Sequence, residues 1–125
     1  MGVLTGAYLG GRLGSLMMQV SGLGNSVNGL ASLAIPYQIP FLMLISQRGE
    51  LGEFNAAQIA MGRGAGLQHV AAVTTMSEFE VGLETWLTEP GPWLVVAKID
   101  ESPAPTRPPK DPVWIKLRFM ETVNK

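Results

Sequence analysis

The chain contains no cysteine. Disulfides, thiolate metal sites and a cysteine nucleophile are therefore excluded, and the usage fits a cytoplasmic protein. Charge is also scarce. Nine basic and ten acidic residues make up 15% of the 125 positions and leave a net charge of −1, against about 25% charged residues in an ordinary soluble domain. The positive charges are not clustered, so neither a nucleic-acid groove nor an anionic membrane surface is expected. A lightly charged surface suggests that another subunit covers part of it, and an oligomer is expected. There is a single histidine, His69. It has no second histidine to form a metal pair, and it reads as structural or exposed. Long apolar runs are missing too. Residues 35–46 are apolar but are interrupted by Pro36, Gln38 and Pro40, so no window of about 18 residues suits a transmembrane helix. The first eleven residues lack the basic start and apolar core of a signal peptide. No Ser-His-Asp order, P-loop or internal repeat is present.

What the chain does have is apolar sequence, 46% of it, and fifteen glycines. One domain is expected, large enough to bury roughly two thirds of its unfolded surface. Residues 3–9 read as a helix that Gly10-Gly11 ends. Short apolar runs at residues 16–20 and 41–45 read as buried strands, residues 70–73 as a third, weaker strand and residues 93–99 as a fourth. Between them, apolar residues at spacings of three or four (Val27, Leu30, Leu33, Ala34) predict a helix stopped by Pro36 and Pro40. Thr75 is placed to cap another over residues 76–87. Residues 46–63 read as a long polar loop. Residues 100–112 hold five prolines and read as an extended surface segment, and residues 113–123 as a short terminal helix. Strands alternating with helices predict an α/β fold, a parallel sheet with helices on both faces. The expected division is a domain over residues 1–99 and a proline-rich extension over 100–125.

The stretch VSGLGNS, residues 20–26, is the most informative. An apolar strand entering a glycine turn and then a helix, with Asn25 or Ser26 as its cap, would bring bare main chain and free helical N–H groups to one place. Ligands gather at the carboxyl ends of parallel strands. The segments after Val20 and after Ile45 should therefore line one site. Gln19, Ser21, Gly22, Gly24 and Asn25 are the candidates from the first segment. Arg48 is the candidate from the second, because a guanidinium pairs with a carboxylate or sulfonate through two parallel hydrogen bonds. Gln58 is expected to face the same cleft. Glu50 and Glu53 are the nearest carboxylates and read as solvated loop charges. Trp93 and Trp114 read as core or interface residues.

Taken in order, GAYLGG (residues 6–11), MMQVSGLGNSVNGLASL (17–33), IPFLMLISQRGELGEFN (39–55) and AQIAMGR (57–63) resemble one family over roughly residues 2–99. It is the pyrimidine-binding domain of thiamine diphosphate-dependent 2-oxoacid decarboxylases, nearest to the sulfopyruvate decarboxylase alpha subunit and phosphonopyruvate decarboxylase. The resemblance implies a parallel α/β sheet and an active site shared across an interface. It implies that this chain grips the aminopyrimidine ring of thiamine diphosphate at Gln19, Ser21, Gly22, Gly24 and Asn25, and meets the substrate anion with Arg48 and Gln58. Mg²⁺ and the diphosphate would be held by a partner subunit or domain, since the chain lacks the GDG…N motif, and no metal ligand is assigned here. The family places an activating glutamate a few residues before the segment matching residues 2–6. This chain starts at Met1 without it, so a domain incomplete at its N-terminus is expected, inactive alone. The tail from residue 101 looks more like the end of the diphosphate-binding partner than of this domain. The competing expectation is a catalytically inactive interaction or structural module.

Overall fold

The computed structural model describes residues 1–48, 52–100, 102 and 110–123, with nothing said of the side chains of 52–56. Ten elements follow one another. Helix α1 is Gly2–Leu9 and strand β1 is Ser15–Gln19. Helix α2, Val20–Gly29, continues into a wider π turn, Leu30–Ala34. Then come β2 (Leu42–Gln47), α3 (Gly52–Gly64), β3 (His69–Val73), α4 (Met76–Thr88), β4 (Trp93–Lys98) and α5 (Pro112–Val123).

The four strands form one sheet in the order β1-β2-β4-β3, with every neighbouring pair parallel. This is the expected α/β parallel architecture. The path steps one way from β1 to β2 to β3, then back to β4. Right-handed crossovers therefore put α2 and α3 on one face and α4 on the other. The core divides accordingly. On the first face Met43, Ile45, Leu94 and Val96 meet Leu23, Leu30 and Leu67. On the second face Leu42, Val73 and Val95 meet Trp86, Phe79 and Leu83 of α4. Adjacent residues of β2 and β4 thus serve opposite layers, and a parallel strand covered on both sides reads as an unbroken apolar run.

Helix ends follow local chemistry. Gly11, with φ of 78°, takes the left-handed conformation that releases the chain after α1. At α4 the Glu78 N–H donates to Thr75 Oγ1 (3.2 Å), while the Thr75 and Thr74 N–H groups donate to Glu78 Oε2 at 3.2 and 2.7 Å. That is the reciprocal cap expected from Thr75. These bonds, with the one from the Thr74 backbone foremost, hold the Glu78 carboxyl below its ordinary value.

Two sequence expectations are corrected. Residues 46–63 are not one loop, because α3 occupies Gly52–Gly64. Among its described side chains the buried positions are Gln58 and Gly62, so the helical pattern there is faint. A Cβ on Gly62 would lie 2.4 Å from Leu94 Cδ2, and the bare position lets the sheet's central side chain stand under the helix. Second, no glycine turn separates β1 from its helix. Strand and helix meet at Gln19–Val20, with Gln19 as an extended N-cap making no side-chain bond. Asn25 and Ser26 sit within α2, and Ser26 Oγ donates to the Gly22 carbonyl at 2.9 Å. The short side chains of Ser21 and Gly22 allow the abrupt change. A Cβ on Gly22 would fall 2.8 Å from Met18 Sδ, so glycine here serves close helix-on-strand packing.

Candidate functional site at the carboxyl edge

Strands β1 and β2 end side by side, with Gln19 opposite Ser46. Their ends and the start of α2 form an open groove of about 370 Å³, lined by Gln19, Val20, Ser21, Ser46 and Arg48. Two segments far apart in sequence therefore do share one site, as the parallel topology requires. Gln19 and Ser21 are exposed, as is Arg48, so their polar groups face outward rather than into the core. Ser46 Oγ donates to the Met18 carbonyl at 3.3 Å, which ties the two strand ends together.

Among the described lining residues the one charge is the positive charge of Arg48. The first N–H groups of α2 have no partner within the helix and carry its positive dipole end. Arg48 adds a full charge, and Lys98 ends the next strand beside Gln47. An anion is the natural guest of such a place. Among the described lining residues there is no carboxylate.

The other candidates lie elsewhere. Gly22 is half-buried against Met18, and Gly24 and Asn25 are exposed on α2; none lines the groove. Gln58 sits midway along α3, only 2% exposed, and neither of its amide atoms has a hydrogen-bond partner among the described residues. Gly49 and Glu50 fall outside the described residues, as does the Glu53 side chain. His69 stacks on Trp93 with ring centroids 4.6 Å apart, which agrees with its structural reading. Ser46 and Val20 were missed. A polar residue closing the run FLMLI was the available signal for Ser46. Among the described residues no three histidine, aspartate or glutamate side chains gather as a metal site would require. Nor is any described helix long and apolar enough to cross a membrane.

No family model matches the chain. Individual relatives do. The chain is 60% identical over 62 residues to the sulfopyruvate decarboxylase alpha subunit of Methanococcus maripaludis, which is 50% of this chain and 37% of that protein. It is 54% identical over 65 residues to the same subunit from Methanothermobacter thermautotrophicus, 52% of this chain and 39% of that protein. Phosphonopyruvate decarboxylase of Streptomyces viridochromogenes is 46% identical over 56 residues, 45% of this chain and 14% of that protein. These are the proteins that the sequence motifs resemble. The chain thus spans well under half the length of the curated relatives it matches.

Proposed function

We propose that this chain supplies the aminopyrimidine side of an interface active site in a thiamine diphosphate-dependent decarboxylase. The substrate would be a 2-oxoacid bearing a second anion, of the sulfopyruvate or phosphonopyruvate kind. One observation carries the reading. The parallel sheet brings Gln19, Ser21 and Arg48 from two strand ends into one groove. Relatives named for these substrates support it.

The donor set suits the group. Gln19 offers amide donor and acceptor, Ser21 and Ser46 offer hydroxyls, and such groups match the mixed polar edge of an aminopyrimidine. Gln58 lies outside the groove's lining and stays assigned to the substrate side. Its buried amide has no partner among the described residues, and buried amides rarely go unpaired. In this reading Gln19 and Ser21 hold the ring, with Gly22, Gly24 and Asn25 shaping the start of α2 beneath it. Arg48 orients the substrate by pairing its terminal sulfonate or phosphonate. When bound, thiamine diphosphate supplies the electron sink that loss of CO₂ requires, while the protein contributes position and electrostatics. A partner subunit or domain holds Mg²⁺ and the diphosphate, and the 1–99 domain is the part that meets it.

Calorimetric titration with thiamine diphosphate and Mg²⁺, with and without the diphosphate-binding partner subunit, tests this. Binding only with the partner is expected; none in either case rejects it. Arg48→Ala should weaken 2-oxoacid binding by about tenfold or more, the scale of a lost charged hydrogen bond, and leave cofactor affinity in place. The alternative is a catalytically inactive interaction or structural module. CO₂ release from 2-oxoacids by the chain with its partner would exclude that module.

A further inference from the structure

The second face of the sheet is only half covered. Helix α4 lies over β3 and β4, and beside it Met17 of β1 is 74% exposed. Two hollows run along this strip. One, of about 200 Å³, is bordered by Ser15, Leu42 and Leu87. The other, of about 340 Å³, is bordered by Met17, Leu44 and Phe79. Together they make an apolar groove one helix wide, floored by β1 and β2 and walled by α4. Of α4, Phe79, Trp86 and Leu87 border the hollows, and by helical spacing Met76, Glu80 and Leu83 share the side of the helix that carries Leu87. Met76 and Leu87 are 71% and 59% exposed.

The same chain carries a helix without a seat. Helix α5 is capped by Asp111, whose Oδ1 accepts from the N–H groups of Val113 (2.9 Å) and Trp114 (3.1 Å). Its residues are all exposed, including Val113, Trp114, Ile115, Leu117, Phe119, Met120 and Val123. These apolar residues lie on every side, and a helix apolar all round is a buried helix.

We propose that α5 of the same chain fills the groove on the second face, beside α4. Twelve helical residues span about 18 Å, the length of five or six strand residues at about 3.3 Å each. The connection from Ile99 to Asp111 reaches up to about 40 Å, and the groove lies about 10 Å from β4, two strand spacings away. Both α4 and α5 leave the carboxyl edge, so they lie parallel. With the row Val113, Leu117, Met120 turned to the sheet, Lys116 turns toward α4. It is the fifth residue of α5, as Glu80 is of α4, so opposite charges meet at the same level. A short tether holds α5 at an effective concentration of the order of millimolar, far above that of a second copy in dilute solution.

The absence of cysteine gives a clean test on the full chain. Met17→Cys is paired with Leu117→Cys, and, as control, Ala57→Cys on the exposed side of α3 is paired with Leu117→Cys. Both are oxidised at micromolar chain, and circular dichroism confirms that both fold. The Met17 pair should give an intramolecular disulfide about tenfold faster than the control. Lys116→Glu in the Met17 pair should slow it several-fold, and adding Glu80→Lys should restore it. Equal rates for the two pairs, a product that is mainly covalent dimer, or indifference to the charge reversals would overturn the proposal.

Discussion

The two faces of this sheet are built from alternate residues of the same strands, yet they are not equally finished. On the first face Met43, Ile45 and Leu94 are fully enclosed beneath α2 and α3. On the second face Val95 is as deeply buried, but two strands away Met17 stands largely in solvent. The difference teaches that burial in a parallel sheet belongs to the helix overhead and not to the strand. Both faces use a bare helix position to admit a large side chain. Gly62 makes room for Leu94. Gly82 makes room for the Trp86 ring, whose atoms would lie 2.2 Å from a Cβ there.

The sharpest way to break this comparison is to empty the first face. Leu94→Ala should cost about 3 kcal/mol, the scale of a buried Leu-to-Ala cavity, read as a lower urea midpoint. Gly62→Ala should cost about 2 kcal/mol by overpacking. Combined with Leu94→Ala it should cost less than the two changes added, because the new methyl enters the vacated space. Additive losses would mean that Gly62 is needed for another reason.

On the second face α4 depends on its cap, and Thr75→Ala should cost about 1 kcal/mol. The cap also titrates. Glu78 is held below its ordinary value, so its contribution is complete above about pH 4.3, the usual glutamate value. It is lost as pH falls from there through the folded value, because the unfolded chain takes up the proton first. Glu78→Gln should flatten stability against pH in that acidic window and leave neutral-pH slopes alone. The smallest effect belongs to the strip beside α4. With α5 seated as proposed, Met17→Ala should cost about 0.5 to 1 kcal/mol, and no measurable loss would mean that nothing packs on it.

Much of this was legible because the residues themselves carry the pattern. The runs FLMLI and WLVVAKI read as strands, the first apolar on both faces, and Thr75 marks a helix start. The carboxyl-edge pairing of Gln19 and Ser21 with Arg48 followed from parallel topology alone. Helix α3 was hidden because, among its described side chains, the buried positions are an amide and a glycine rather than leucines. The start of α2 was misplaced because SGLGN has the composition of a turn. Gly22 is there for proximity to Met18, a contact that no local pattern displays. The buried position of Gln58 depends on packing between elements and left no trace in spacing.

The direct passage from Gln19 into Val20 has a consequence for how this molecule tolerates change in length. With no spare residue at the junction, one inserted amino acid must either slide the strand, which inverts its sides, or wind the helix about 100° further round. The second choice turns Leu23 and Leu30 away from the sheet and carries Ser21 off the groove. Deletions meet the same obstacle in reverse. Variants that gain or lose residues should therefore fail at the first strand's end. That junction fixes the helix's rotation to the strand as firmly as a key fixes a shaft.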